Sequence, residues 1–129
     1  MNSGNNQPKD NHQLLKEILD ELVVRNPNII NTLVVSDDGL NVASGIPHTD
    51  DDNTAIVASD LMDMAKNFGD RLEQGRIARI LLEGEQRTTV VLSAGKRTVL
   101  VVVVPADEKL GLITQAMRHS ATQIAAIFG

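Results

Sequence analysis

The sequence has no cysteine, tryptophan or tyrosine, and its only aromatic residues are Phe68 and Phe128. Without cysteine the chain can form neither disulfides nor thiolate metal sites, which fits a reducing cytoplasm. With so few aromatic rings it lacks the material for a base-stacking platform of the kind that binds single-stranded nucleic acid. We therefore expect a cytoplasmic protein with no cysteine chemistry and no stacked-base binding.

Positive charge is also scarce, since 12 Lys and Arg face 17 Asp and Glu and the net charge is −5 at pH 7. Nucleic acids and anionic membranes are bound through basic surfaces, so we expect neither as a partner. The longest apolar run, Val99 to Val104, is far shorter than the roughly 20 residues of a membrane-spanning helix. These deficits exclude the nucleic-acid-binding and membrane classes.

What the chain does have is length and aliphatic side chains: 129 residues, 42% of them hydrophobic, suit one domain with a real core. Residues 1–10 are polar and rich in Asn and Gly, which predicts a disordered arm without the features of a signal peptide. Residues 11–129 show no interior linker and no repeat. We expect a short arm followed by a single domain.

Apolar residues recur every three or four positions in three segments and alternate or cluster in five others. The pattern predicts a first helix that Asp10 or Asn11 caps and Asn26-Pro27 ends. It predicts a second helix from Asn53 to about Gln74, and a third that Asp107 caps and that runs to Phe128. The five predicted strands are Ile29–Ser36, Leu40–Ser44, Ile77–Glu83, Thr88–Ser93 and Thr98–Val104.

The turns within each group of strands are short, so neighbouring strands should be antiparallel. The last strand, Thr98–Val104, has no polar alternation, which is typical of a central strand with both faces buried. The sequence therefore predicts an α/β fold of order α-β-β-α-β-β-β-α. Its architecture would be a three-layer α/β/α sandwich around a five-stranded antiparallel sheet.

The second helix has more apolar surface than one helix in one domain needs. Its bulky residues predict a core stripe (Val57, Leu61, Met64, Phe68 and Leu72), beside which a second arc of mostly small residues extends. The helix either lies deep in its own fold or contacts another subunit, and the apolar strand that follows favours the second, because an uncovered apolar edge invites aggregation. We predict a homodimer whose interface is the second arc and this strand: Ala55, Ala58, Met62, Ala65, Gly69, Ile77, Ala78, Arg79, Ile80, Leu81, Leu82 and Glu83.

No motif carries catalytic chemistry. Gly95-Lys96 lacks the earlier glycine and the following Ser or Thr of a phosphate-binding loop, so it indicates a hairpin turn. His48 and the run Asp50–Asp52 precede the second helix, where Asp51 or Asp52 should act as a cap rather than as a metal ligand. We expect no catalytic residue, no cofactor and no metal, and hence no enzyme.

Three segments resemble the Roadblock/dynein light-chain family: Leu33–Ser44, Gly75–Gly84 and Leu110–Ile113. The resemblance covers about residues 11–128 and includes the full element order. It implies a profilin-like sandwich that forms dimers through the second helix and the third strand.

The family resemblance also implies a function. Bacterial members, such as the gliding-motility regulators, bind a small Ras-like GTPase and accelerate GTP hydrolysis without an arginine finger, whereas eukaryotic relatives act as dynein light chains and scaffolds. An acidic single domain looks more like the bacterial kind, so we expect a non-catalytic homodimeric GTPase regulator. The alternative is a scaffold that recruits partners without changing hydrolysis; a small-ligand sensor is disfavoured. The expected partner-binding residues are Ser59, Asp63, Lys66, Asn67 and Asp70.

Overall fold

The computed structural model describes residues 8–128, and this part of the chain forms three helices and five strands in the predicted order. Most of the predicted arm, residues 1–7, lies outside the described residues, so its disorder stays a prediction. The helices are α1 (Asn11–Arg25), α2 (Asp51–Arg71) and α3 (Leu110–Phe128), and the strands are β1 (Asn31–Ser36), β2 (Asn41–Ser44), β3 (Arg79–Glu83), β4 (Arg87–Ser93) and β5 (Thr98–Pro105).

Local sequence fixes both ends of α1. The Asp10 carboxylate accepts a hydrogen bond from the Gln13 N–H at 2.8 Å, and the Gln13 side chain accepts one from the Asp10 N–H at 2.9 Å. This reciprocal capping box satisfies two backbone donors that the helix leaves free. Asn26 ends α1 before Pro27, as predicted, and both its N–H and its side-chain amide donate to the Leu22 carbonyl. The predicted cap of α3 is wrong, because Asp107 lies well before the first helical residue, Leu110.

The sheet is antiparallel throughout and its strand order is β2-β1-β5-β4-β3. β5 is the middle strand and most of its residues are buried, as its unbroken apolar sequence predicted. β3 is an edge strand, also as predicted, and pairs with β4 in a register that sets Ile80 opposite Val91.

The helices cover both faces of the sheet, which confirms the three-layer sandwich. Alternation along each strand divides its side chains between two cores. Val34 of β1 joins the core beneath α1 and α3, whereas its neighbours Leu33 and Val35 join the core beneath α2. None of the helices in residues 8–128 is long and apolar enough to cross a membrane.

Asp51 anchors the start of α2 to the sheet. Its carboxylate is buried and accepts hydrogen bonds from the Asn31 side chain and the His48 N–H, each at 2.9 Å. Burial opposes ionisation, but these hydrogen bonds and the nearby His48 outweigh it, so the pKa of Asp51 lies below its ordinary value of 3.8. The prediction that Asp51 or Asp52 caps α2 is wrong, because both are residues of the first helical turn. The residue at the cap position is Asp50, and its side chain makes no capping hydrogen bond.

Candidate functional site

The structure reverses the predicted roles of the two apolar arcs of α2. Ala55, Ala58, Met62 and Gly69, predicted to face a second subunit, are buried within the protomer, and Ala65 is half-buried. The bulky residues predicted to form the core are on the surface, since the exposed fractions are 56% for Val57, 66% for Met64, 62% for Phe68 and 57% for Leu72. The assignment of Ala55, Ala58, Met62 and Gly69 to a dimer interface is therefore wrong, and that of Ala65 stays a prediction.

Close approach of the α2 backbone to the rest of the fold explains why the small residues are inside. A Cβ atom added to Gly69 would lie 2.6 Å from Cδ1 of Ile77, so glycine at this position lets the Ile77 side chain pack closely under the end of α2 without moving aside. Ala55 and Ala58 meet Leu33, Val35 and the other residues of the α2-side core. The small residues seat the helix, and the larger ones remain outside.

The exposed side of α2 carries what we call the apolar stripe: Val57, Leu61, Met64, Phe68 and Leu72, of which only Leu61 is half-buried. Apolar patches of this kind on a folded domain mark interaction sites. β3 pairs with β4 along one edge, and its other edge pairs with no strand in residues 8–128. Leu81 and Leu82 of β3 are 44% and 48% exposed. The structure thus leaves both an apolar helix face and a strand edge uncovered.

The segment predicted to form the strand part of the interface is a strand for most of its length. Arg79 to Glu83 form β3 itself, while Ile77 and Ala78 precede it. Pairing with β4 extends to Ala78, whose carbonyl accepts a hydrogen bond from the Ser93 N–H at 3.0 Å. Ile77 is half-buried against Gly69 and faces α2 rather than the free edge.

The five predicted partner-binding residues separate into two groups. Ser59 is buried and its Oγ donates to the Asp37 carbonyl at 3.0 Å, and Asn67 accepts from Nε of Arg71 at 3.0 Å. The other three, Asp63, Lys66 and Asp70, are exposed and line one groove. Ser59 lines the same groove, so the structure brings four of the five candidates together and leaves Asn67 outside.

This groove, the charged groove, has a volume of about 470 Å³ and lies between α2 and the end of the sheet where β1 and β4 finish and β5 begins. Its floor includes the apolar side chains of Met62, Ile77 and Val99. Its charged residues are Asp37, Asp63, Lys66, Asp70, Arg76, Lys96 and Arg97.

Sequence reasoning missed Asp37, Arg76, Lys96 and Arg97, because they come from three different connections of the chain. Lys96 and Arg97 read as an ordinary charged turn, and only the folded sheet sets that turn opposite α2. In residues 8–128 none of the groove's charged side chains forms an ion pair with another described residue. The groove can therefore bind charged groups of a partner.

The predicted absence of a metal site concerned His48 and the aspartates that follow it. His48 Nδ1 accepts a hydrogen bond from the Asp50 N–H at 3.0 Å, and Asp51 is engaged by Asn31. Within residues 8–128 no three His, Asp or Glu side chains are grouped closely enough to hold a metal ion.

Comparison with known proteins identifies the family. Residues 15–104 match the model of the Roadblock/LC7 domain. The uncharacterized protein MJ0310 of Methanocaldococcus jannaschii is 33% identical to the chain over 101 residues, which cover 78% of this chain and 88% of that relative.

Solved structures share the fold. A Roadblock/LC7 domain from Streptomyces avermitilis superposes with a TM-score of 0.82 at 22% identity, over 88% of this chain and 96% of that one. The gliding protein MglB from Thermus thermophilus gives 0.82 at 18% identity, over 94% and 93% of the two chains. A further MglB structure, described as having a tetrameric arrangement, gives 0.83 at 19% identity, over 94% and 92%.

Profilin IA of Acanthamoeba castellanii is a more distant neighbour, with a TM-score of 0.58 at 12% identity over 86% of this chain and 96% of that one, which agrees with the profilin-like architecture. The match to the family model extends over most of the chain, from Leu15 in α1 to Val104 in β5. The chain belongs to the Roadblock/LC7 domain family.

Proposed function

We propose that this protein is a non-catalytic, homodimeric regulator of a small Ras-like GTPase. The observation that carries the proposal is that both the apolar stripe of α2 and the outer edge of β3 are uncovered, in a chain of the Roadblock/LC7 family. An apolar helix face and an open strand edge are features that a second protein covers. The structural likeness to MglB, which the family resemblance links to a Ras-like GTPase, supports the choice of partner.

The proposed dimer pairs β3 with its twin across a two-fold axis and packs the two apolar stripes together. This arrangement replaces the small residues of the sequence-based interface with Val57, Met64, Phe68 and Leu72, and it keeps the strand residues Arg79–Glu83. A two-fold interface is self-complementary, which suits a single stripe and a single edge per protomer. A specific interface buries about 800 Å² on each partner, an area that a long helix face and a strand can supply.

The proposed regulator recognises the GTP-bound state. The switch loops of a Ras-like GTPase are ordered by contacts with the γ-phosphate and are released after hydrolysis. A preformed surface binds the ordered loops better than the disordered ones, since ordering a flexible segment opposes binding. The regulator then accelerates hydrolysis by holding the partner's own loops in place.

Single-turnover GTP hydrolysis tests the function. Each small Ras-like GTPase of the same organism is loaded with GTP, and its hydrolysis rate is measured with and without the purified protein. A rate increase that saturates with protein concentration is the expected result. Saturable binding without a rate change would favour the scaffold instead, and the absence of binding to every such GTPase would contradict both.

A matched pair of variants ties that result to the surface. Phe68→Asp puts a charge into the apolar stripe, whereas Ile56→Asp puts the same charge on an exposed residue of α2 outside the stripe. We expect Phe68→Asp to lose the stimulation of hydrolysis and Ile56→Asp to retain it. Equal stimulation of GTP hydrolysis by the two variants would show that the apolar stripe is not needed for it.

A further inference from the structure

The two walls of the charged groove carry different charge. On the side of the sheet, Arg76, Lys96 and Arg97 outnumber the single carboxylate of Asp37. On the side of α2, the two carboxylates of Asp63 and Asp70 outnumber Lys66. A ligand with acidic groups toward the sheet and a basic group toward the helix would match both walls.

The basic wall is held in place by hydrogen bonds. Nη2 of Arg76 donates to Oγ of Ser93 at 3.3 Å, and Oγ of Ser93 donates to the Gly95 carbonyl at 3.2 Å. The turn that carries Lys96 and Arg97 contains Gly95 at a φ of 107°, a backbone conformation that favours glycine. The Arg97 carbonyl in turn accepts from the Asp37 N–H at 2.8 Å, which joins the turn to the end of β1.

The charged groove and the apolar stripe lie on opposite flanks of α2. Groove residues recur every three or four positions from Asp63 through Lys66 to Asp70, and the buried Met62 and Gly69 lie between that row and the stripe. Packing of two stripes in a dimer therefore leaves the groove open. Each protomer contains a complete groove of its own.

We propose that the charged groove binds an acidic segment of the partner GTPase, with the carboxylates of that segment on Arg76, Lys96 and Arg97 and a neighbouring basic side chain toward Asp63 and Asp70. This inference rests on the proposed function and adds the surface that contacts the GTPase and the charge of that surface. Arginine binds carboxylates through two parallel hydrogen bonds, and cations without an ion pair in the free protein are available for such a contact. A phosphate-bearing small molecule without a cationic group fits less well, because it has nothing to place against the carboxylates of Asp63 and Asp70, whereas a protein segment can carry a basic side chain there.

Complementary charge of this kind selects among partners and raises the association rate. The groove would therefore distinguish one GTPase from another with the same fold, while the nucleotide state is read from the order of the switch loops. A partner with lysines where the acidic segment should be would meet three cations.

The test compares two charge-reversed variants of the full chain. Lys96→Glu/Arg97→Glu inverts the basic wall, and Lys109→Glu/Arg118→Glu makes the same exchange at exposed residues near and on α3, across the sheet from α2. Affinity for the GTPase identified by the hydrolysis assay, loaded with a non-hydrolysable GTP analogue, is measured by calorimetry at low and high salt. Light scattering checks that both variants keep the wild-type mass.

We expect the groove variant to lose about tenfold or more in affinity and to lose most of the salt dependence, and the control variant to bind like the wild type. Equal binding by the groove variant and the wild type would overturn the inference and leave the proposed function standing. A wild-type protein that binds no GTPase would overturn both.

An NMR titration of the free protein with inorganic pyrophosphate separates the two anion sources. We expect no saturable shift at the backbone amides of residues 95–97. Saturable shifts there that the groove variant lacks would identify a phosphate site and overturn the assignment to an acidic protein segment.

Discussion

The carboxylate of Asp51 joins the start of α2 to the sheet, because it accepts hydrogen bonds from Asn31 on β1 and from His48 just before α2. Asp51→Asn keeps the volume and removes the charge, which weakens hydrogen bonds that a charged acceptor strengthens. We expect a loss of about 1–3 kcal/mol in the free energy of unfolding at neutral pH, measured by urea denaturation. Asp52→Asn, the exposed neighbour, is the control and should change stability by less than about 0.5 kcal/mol.

The same pair of variants gives a pH dependence. Because the pKa of Asp51 is lower in the folded protein than its ordinary value of 3.8, the charged carboxylate stabilises the fold above that pH. This contribution is lost as the pH falls from about 3.8 through the lower, folded-state pKa, since both states are then protonated. The stability gap between wild type and Asp51→Asn should therefore narrow below pH 3.8. A gap of constant size across that range would contradict the assigned pKa shift.

Replacing either of two glycines by alanine adds one methyl group and tests how closely the chain packs around it. A Cβ at Gly45 would lie 2.6 Å from Cγ2 of Thr32 and 3.2 Å from Cβ of Leu19, between the sheet and α1. Gly45→Ala should therefore lower the free energy of unfolding by about 1–3 kcal/mol. Gly111→Ala, in the first turn of α3, meets nothing within 4 Å and should be neutral or add up to about 1 kcal/mol through helix propensity. Equal effects of the two changes in thermal unfolding would contradict this packing.

At the scale of the element, the sequence of α2 predicts its excess of apolar surface but not its orientation on the sheet. The excess of apolar surface, and hence a contact beyond the core, follows from Val57 to Leu72 at helical spacing beside a second apolar arc. Which arc faces the sheet does not follow, because periodicity gives the angle between residues and not the distance of the helix axis from the sheet. That distance is set by the approach that Ala55, Ala58 and Gly69 permit, and it decides that the bulkier side chains stay outside.

Paired aspartate substitutions on α2 test this orientation. Met62→Asp places a carboxylate at a core position that is 5% exposed, so it should lower the free energy of unfolding by several kcal/mol, enough to unfold a marginal domain. Met64→Asp exchanges the same residue types at a position that is 66% exposed and should leave the fold intact. Circular dichroism and urea denaturation measure the two.

If Met64→Asp lowered the free energy of unfolding more than Met62→Asp, the face of α2 that the sequence predicted for the core would be the buried one. A variant Met64→Asp that unfolds while Met62→Asp stays folded could not be reconciled with Ala58 and Met62 in the α2-side core. Because both changes replace methionine by aspartate within one turn of the same helix, propensity and charge differ little between them.

At the scale of the molecule, the element order and the central place of β5 could be predicted from the chain, since seven consecutive residues without polar alternation require cover on both faces. The edge position of β3 followed from its place in the strand group. The charged groove could not be predicted, because Arg76, Lys96 and Asp37 are far apart in sequence and meet only where the sheet ends. Sites built from the ends of several strands depend on tertiary structure in this way.

The proposed dimer makes unfolding depend on protein concentration. A chain that buries the apolar stripe and the β3 edge only as a dimer is stabilised by association, so its midpoint temperature rises with concentration. A tenfold increase contributes about 1.4 kcal/mol to a transition coupled to dimer dissociation, which raises the midpoint by a few degrees. Light scattering of the wild type at micromolar concentration should give twice the chain mass of 14.0 kDa.

The variant Phe68→Asp tests whether the apolar stripe causes this concentration dependence. The Phe68 side chain is 62% exposed in the protomer, so an aspartate there should leave the single chain folded. In a dimer the same carboxylate would be buried against the twin helix without a partner. We expect this variant to scatter as a 14.0 kDa particle and to unfold at a temperature that does not change with concentration. A wild type that already behaves in this way would contradict the dimer. A Phe68→Asp variant that stays dimeric would instead move the interface off α2, leaving the edge of β3 as the contact that holds the two chains together.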